Sequence, residues 1–166
     1  MLRFFLTFLA IAIALFALEL TPVAQKLVVL PWTELLARTS VALIKVFDAE
    51  VVSVGKVLES TRNGFAVSIE AGCNGVEAAL ILVAAMLAFP SPWKRKVAGI
   101  AGGLFAVQSL NIVRVVSLFY VGQWSLTAFE WAHLYLWQAL IMLDVLVVWL
   151  LWLQWLRSGE TSRARA

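Results

Sequence analysis

The 166-residue chain contains one cysteine, one histidine, four prolines and two tyrosines, and only 14% of its residues are charged. A single thiol excludes an internal disulfide and stands out as a free reactive group wherever the chain faces an oxidising side. One cysteine and one histidine make a poor ligand set, so no metal site is expected. There is no glycine-rich phosphate loop, no internal repeat and no low-complexity tract, and no cofactor is expected. The net charge is only +3, and the basic residues sit beside hydrophobic runs rather than on one face. That arrangement fits topology signals at a membrane, so no nucleic-acid partner is expected.

What is abundant is apolar surface. Hydrophobic residues make up 63% of the chain and the mean hydropathy is +0.93, whereas soluble domains are roughly half apolar. A chain this short has no interior large enough to hide so much, so lipid must be its solvent. The expected fold is all-α: a single membrane domain over residues 1–166 with about four transmembrane helices. A spanning helix needs about 20 mostly apolar residues, which sets the spans at about 2–20, 73–89, 97–121 and 131–156. The first reads as an uncleaved anchor. Arg3 before an apolar run also suits a signal peptide, but the run is long for one and lacks a small-x-small cleavage site.

Residues 21–72 are mixed. After Pro31, Leu35, Leu36, Leu43 and Phe47 recur at helical spacing, interrupted by Glu34, Arg38, Lys45 and Asp48. This predicts an amphipathic helix from Trp32 to Phe47 at the membrane surface. From Val51 to Ile69 apolar residues alternate on both sides of Arg62-Asn63-Gly64, which predicts a small β-hairpin leading into Cys73. The last ten residues, from Arg157 on, read as a frayed tail.

Short loops give the orientation. Lys94, Arg95 and Lys96 follow the second span, Arg157, Arg163 and Arg165 follow the last, and the connection 122–130 has no basic residue. The positive-inside rule then puts both termini in the cytoplasm and residues 21–72 and 122–130 outside it. Tyr120, Trp124, Trp131, Tyr135 and Trp137 read as one interfacial belt, and Trp149, Trp152 and Trp155 as the other.

That topology brings three chemically capable residues to one depth. Cys73 opens the second span and His133 the fourth. Arg114 lies seven residues before Val121, about 10 Å below the outer boundary at 1.5 Å per residue. Each also has a plain reading: a small buried hydrophobe for Cys73, a snorkelling cation for Arg114, an interfacial ring for His133. Against these, Gly72 and Gly75 flank Cys73 at a strand-to-helix break, where a helix N-terminus would favour thiolate. A charge within a span costs about 2.5–3.5 kcal/mol even on lenient scales, and Gln108, Asn111 and Arg114 form a polar stripe. His133 is the only candidate base for neutral pH. Glu77 and Asp144 are given no catalytic role, though Glu77 lies one turn after Cys73, in a position to orient the site.

Cys73-Asn74-Gly75, Asn111-x-x-Arg114 and a histidine opening the last span resemble the exosortase/archaeosortase family. The fuller string Ala71-Gly72-Cys73-Asn74-Gly75-Val76-Glu77 and the short chain are most similar to the exosortase H type, and the resemblance covers roughly residues 50–156. It implies a membrane-embedded cysteine protease or transpeptidase in a bacterial inner membrane. Such an enzyme cleaves a C-terminal sorting signal on secreted proteins, a short motif followed by an apolar span and a basic end, and passes them to a surface acceptor. The resemblance makes Cys73 the nucleophile, His133 the base and later acid, and Arg114 the oxyanion stabiliser, with Asn74 and Asn111 in support. Two other classes stay open: a non-enzymatic assembly subunit glued by Arg114 and Asp144, and a small transporter subunit lined by Gln108, Asn111 and Arg114.

Overall fold

A computed structural model describes residues 1–163, with side chains to Ser158. The chain is mostly helical, with one small antiparallel sheet. Helix α1 (Leu2–Glu19) is followed after a turn by α2 (Pro22–Ala24), a π-helical turn (Gln25–Val29) and α3 (Leu30–Ile44). These last three form one continuous helix, Pro22–Ile44. Strands β1 (Val51–Val54), β2 (Val57–Ser60) and β3 (Ala66–Ser68) precede α4 (Val76–Ala88) and α5 (Trp93–Trp124). Then come α6 (Leu126–Trp131), a second π-turn (Ala132–Leu136) and α7 (Trp137–Arg163).

Among the described residues, four helices are long and apolar enough to cross a membrane: Leu2–Glu19, Pro22–Ile44, Trp93–Trp124 and Leu126–Ser158. Three match expected spans. The fourth is Pro22–Ile44 rather than the stretch around 73–89, whose helix α4 has only 13 residues, about 20 Å at 1.5 Å per residue. Two left-handed glycines delay its start and Pro90 ends it.

The amphipathic segment differs in start and face. Pro31 lacks an N–H and would clash with the carbonyl four residues back, yet the helix runs through it. The π-turn just upstream absorbs the mismatch, with Leu30 N–H bonding Gln25 O. The inward face is Thr33, Leu36, Ala37, Ser40, Val41 and Ile44, while Leu35, Leu43 and Phe47 are exposed. Leu36, Ala37, Val41 and Ile44 pack with Val51, Leu58, Ile69, Val115 and Phe119, so this helix clamps the sheet to the C-terminal half of α5.

The expected hairpin is a three-stranded meander in the order β1-β2-β3. The Arg62-Asn63-Gly64 turn does join β2 and β3. The other turn, Gly55-Lys56, pairs Val54 with Val57; Gly55 alone has positive φ, the type II′ pattern. It escapes notice in sequence because alternation continues across it.

The opposite end of the bundle closes by small-to-large packing. Gly99 and Gly103 of α5, one turn apart, lie beneath Trp152 and Val148 of α7. Trp152 Nε1 donates to Arg95 O at 3.0 Å. Arg95 Nη1 donates to Leu156 O at 2.8 Å and Lys96 Nζ to Leu87 O at 2.6 Å, so Arg95 ties α5 to α7 and Lys96 caps the C-terminus of α4. Trp152 and Trp137 are buried, which corrects their assignment to interfacial belts. The connection 122–130 is nearly all helix, broken only at extended Ser125, whose hydroxyl caps α6. The tail expected to fray is helical to Arg163; Arg165 lies outside the described residues.

Candidate active site

The segment from Ile69 to Gly75 carries Cys73 between the sheet and α4. Gly72 (φ +82°) and Gly75 (φ +73°) take left-handed conformations that other residues adopt at a cost. Gly75 is doubly constrained: a Cβ there would stand about 3.0 Å from the Gln108 carboxamide and 3.1 Å from Asn111 Nδ2. Gln108 Nε2 donates to Gly75 O at 3.1 Å. Gly72 N–H donates to Glu77 Oε1 at 2.6 Å, so Glu77 braces the loop from the first turn of α4.

Asn74 is 1% exposed and pins the loop to two helices. Its Oδ1 accepts from Val76 N–H at 3.0 Å, its Nδ2 donates to Thr33 Oγ1 at 3.1 Å, and its carbonyl accepts from Trp32 Nε1 at 3.3 Å. Asn111 is wholly buried, and neither polar atom of its carboxamide has a partner. Of the two asparagines, only Asn74 is bonded to the cysteine loop's neighbours, while Asn111 Nδ2 stands 3.1 Å from where a Cβ on Gly75 would lie.

Three helical or loop elements deliver Cys73, Arg114 and His133 to one point. Cys73 Sγ lies 3.6 Å from His133 Nε2. Arg114 Nη2 reaches the same sulfur at 3.5 Å, and its Nη1 reaches Gly72 O at 3.5 Å. Arg114 is 3% exposed; it faces protein, not lipid. Its Nε has no partner, which leaves donor capacity next to the sulfur. The second π-turn holds His133, with Trp137 N–H bonding Ala132 O five residues back. Single π-turns inside helices often mark functional positions. Phe129 stacks on the imidazole at 5.6 Å and 15° between planes, a contact that no sequence pattern singled out.

One expectation is corrected. Cys73 does not sit at a helix N-terminus, because α4 begins three residues later. Burial pushes its thiol up, the Arg114 guanidinium opposes this, and Glu77 and Glu70 add to the rise. The rise favours the protonated thiol at rest, and the His133 imidazole stands beside it.

Cys73, Arg114 and His133 line a small cavity of about 40 Å³ with Val67, Val115, Leu118 and Phe129. A larger groove, about 500 Å³, runs between α3, α4 and α5, but Gln108 is its only polar side chain apart from the Trp32 indole, and it includes none of the three. No chemistry follows from that groove. No cluster of metal-binding side chains occurs among the described residues. Asp144 has no contact with the three; its Oδ2 is buried without a partner in α7.

The family model for transmembrane exosortases matches residues 3–153. This chain is a transmembrane exosortase. The match begins within α1, so the family's frame takes in the first 50 residues that the motifs alone left out. No curated protein and no solved structure shows significant similarity to the chain. An exosortase with these dimensions holds its sheet and cysteine loop at one end of the bundle and its basic loop at the other. Along α5, Arg95 and Arg114 are 19 residues apart, about 28 Å of helix, close to a hydrocarbon thickness.

Proposed function

We propose that this exosortase is a cysteine endopeptidase and transpeptidase acting on C-terminal sorting signals of secreted proteins. The observation that carries this reading is a single sulfur with an imidazole nitrogen at 3.6 Å and a guanidinium nitrogen at 3.5 Å. His133 Nε2 takes the thiol proton as Cys73 Sγ attacks the scissile carbonyl carbon, giving a tetrahedral oxyanion. Arg114, fixed and desolvated, donates to that oxyanion. The carbon–nitrogen bond then breaks, His133 returns the proton to the leaving amine, and a thioester remains on Cys73. An acceptor nucleophile, amine, hydroxyl or water, attacks the thioester and restores the thiol.

The same reading puts the protein in a bacterial inner membrane with its site facing outward. Support comes from the basic loop and Arg157 lying at the far end of the bundle from Cys73. The partners are then secreted chains ending in a short motif, an apolar span and a basic tail, together with the lipid bilayer.

The test uses a reporter fused to such a C-terminal segment from a secreted protein of the same genome. The wild-type exosortase should process it, and Cys73→Ala should not, while inserting and accumulating normally. Mass spectrometry should find a thioester adduct on Cys73. Undiminished processing by Cys73→Ala would end the transpeptidase reading and favour a non-enzymatic assembly role.

A further inference from the structure

Strand β3 is the edge of the sheet, paired only with β2. Its register is Val57↔Ser68, Leu58↔Val67 and Glu59↔Ala66. Beyond both ends of that register, Ser60 N–H bonds Phe65 O and Ile69 N–H bonds Lys56 O. In an antiparallel ladder hydrogen-bonded pairs alternate with open ones, so Phe65, Val67 and Ile69 turn their backbone groups to β2. Ala66 and Ser68 therefore turn theirs, one N–H and one C=O each, to the free edge. Both residues are exposed.

This free edge borders the catalytic cavity. Val67, Ser68 and Ile69 line it together with Phe129 and His133, Val115 and Leu118 of α5, and Cys73 and Arg114. The strand is also held in place at its exit. Glu70 accepts from Lys56 Nζ at 2.5 Å and from Ser68 Oγ at 2.6 Å, and Lys56, then Ser68, hold its carboxyl below the usual range. Glu70 O in turn accepts Cys73 N–H at 2.9 Å. An unpaired strand edge is a template for main-chain pairing, and here it leads within five residues to the nucleophile.

The geometry points to β3 as the docking strand for substrate. The segment of the sorting signal around the scissile bond is bound extended, its main chain pairing with Ala66 and Ser68 as a fourth strand and one small side chain entering the 40 Å³ cavity. This rests on the peptidase reading above and adds how the peptide is held. Main-chain pairing supplies affinity for any extended segment, while the cavity limits which side chain fits next to the cleaved bond.

The test exploits the direction of the Ser68 N–H. Ser68→Pro removes a backbone donor that β2 does not use, and proline is tolerated on an edge strand whose N–H faces outward. Because it also deletes the Ser68 Oγ–Glu70 bond, its KM is read against Ser68→Ala, which loses that bond and keeps the N–H. With the reporter described above, KM should rise roughly tenfold through the lost bond and the blocked edge. Alkylation of Cys73 by iodoacetamide should keep its rate, which shows an intact loop. Ser53→Pro is the matched control: Ser53 has the same outward parity on the other edge strand, β1, and should leave KM unchanged. A Ser68→Pro protein with the KM of Ser68→Ala would overturn the inference. If that variant does not accumulate, amide exchange decides the question: in Cys73→Ala protein saturated with the reporter, exchange at 66 and 68 should slow, and unaltered exchange would overturn docking on β3. A failure of the peptidase reading itself is recognised separately, by wild-type protein that leaves the reporter uncut.

Discussion

The two ends of this bundle are held together differently. At the basic end, short hydrogen bonds of 2.6–3.0 Å from Lys96, Arg95 and Trp152 land on backbone carbonyls, and Gly99 and Gly103 let α7 close on α5. At the cysteine end the contacts around the sulfur are 3.5–3.6 Å, and Gln108 Oε1, both Asn111 polar atoms and Arg114 Nε lack partners. The first end is closed largely by its own chain, with only Ser91 Oγ and Trp149 Nε1 near it buried without partners among the described residues. The second keeps unmet hydrogen-bonding capacity, as catalytic sites do when their bonds tighten only around substrate. The closely packed end and the candidate site are thus separated by about 28 Å along α5.

The largest effect that would sharpen this contrast is at Arg114. Arg114→Ala should lower the processing rate by about 10²–10³, the typical worth of an oxyanion donor. Arg114→Lys keeps the charge but not the planar fork and should recover part of the rate. Equal loss in both variants at normal protein level would instead indicate a requirement for guanidinium geometry alone. At the other end, Gly103→Leu should cost stability, about 1–3 kcal/mol by overpacking against Leu82 and Val148. Thermal unfolding in detergent should register this, while the protein that stays folded retains its Cys73 alkylation rate. A Gly103→Leu protein with normal stability but slow chemistry would erase the division between the ends.

A smaller effect concerns pH. Because burial raises the Cys73 thiol, less thiolate is present at neutral pH than for a free cysteine, whose pKa is about 8.5. Alkylation should therefore be slow at pH 7 and still climbing above pH 9. Arg114 is the one lowering influence, so Arg114→Ala should move the midpoint further up. A midpoint below that of free cysteine would contradict the structure's account of the sulfur. The smallest effect is expected at Phe129. Its stacking on His133 is of a kind that contributes about 0.5–1.5 kcal/mol. Phe129→Ala should reduce kcat about two- to tenfold, and Phe129→Tyr should restore it.

Much of the site was legible before any coordinates because its components are chemically rare in this chain. One thiol, one imidazole and one deep guanidinium leave few combinations, and helix rise puts them at similar depth. Glu77 stands one turn after Cys73, a spacing that put it in a position to orient the site, and it takes the Gly72 N–H. Phe129 was not legible, since one phenylalanine among ten carries no signal until a π-turn sets its ring against His133. The Gly55-Lys56 turn was hidden by continuous alternation, and the buried face of α3 was mistaken because in lipid the exposed face of a helix is also apolar.

By itself, the sequence determined that lipid is the solvent and where three of the four long helices run, and it singled out Cys73, Arg114 and His133 as side chains suited to acyl transfer. Those properties are local: they follow from hydropathy, rise per residue and side-chain type. Only the tertiary structure decided that the three meet at one sulfur, that Cys73 is half-buried in a glycine-bracketed loop rather than poised on a helix end, and that an unpaired strand edge lies beside it. Distances across elements and the direction of each N–H depend on crossing helices, π-turns and ladder parity, which no single segment encodes.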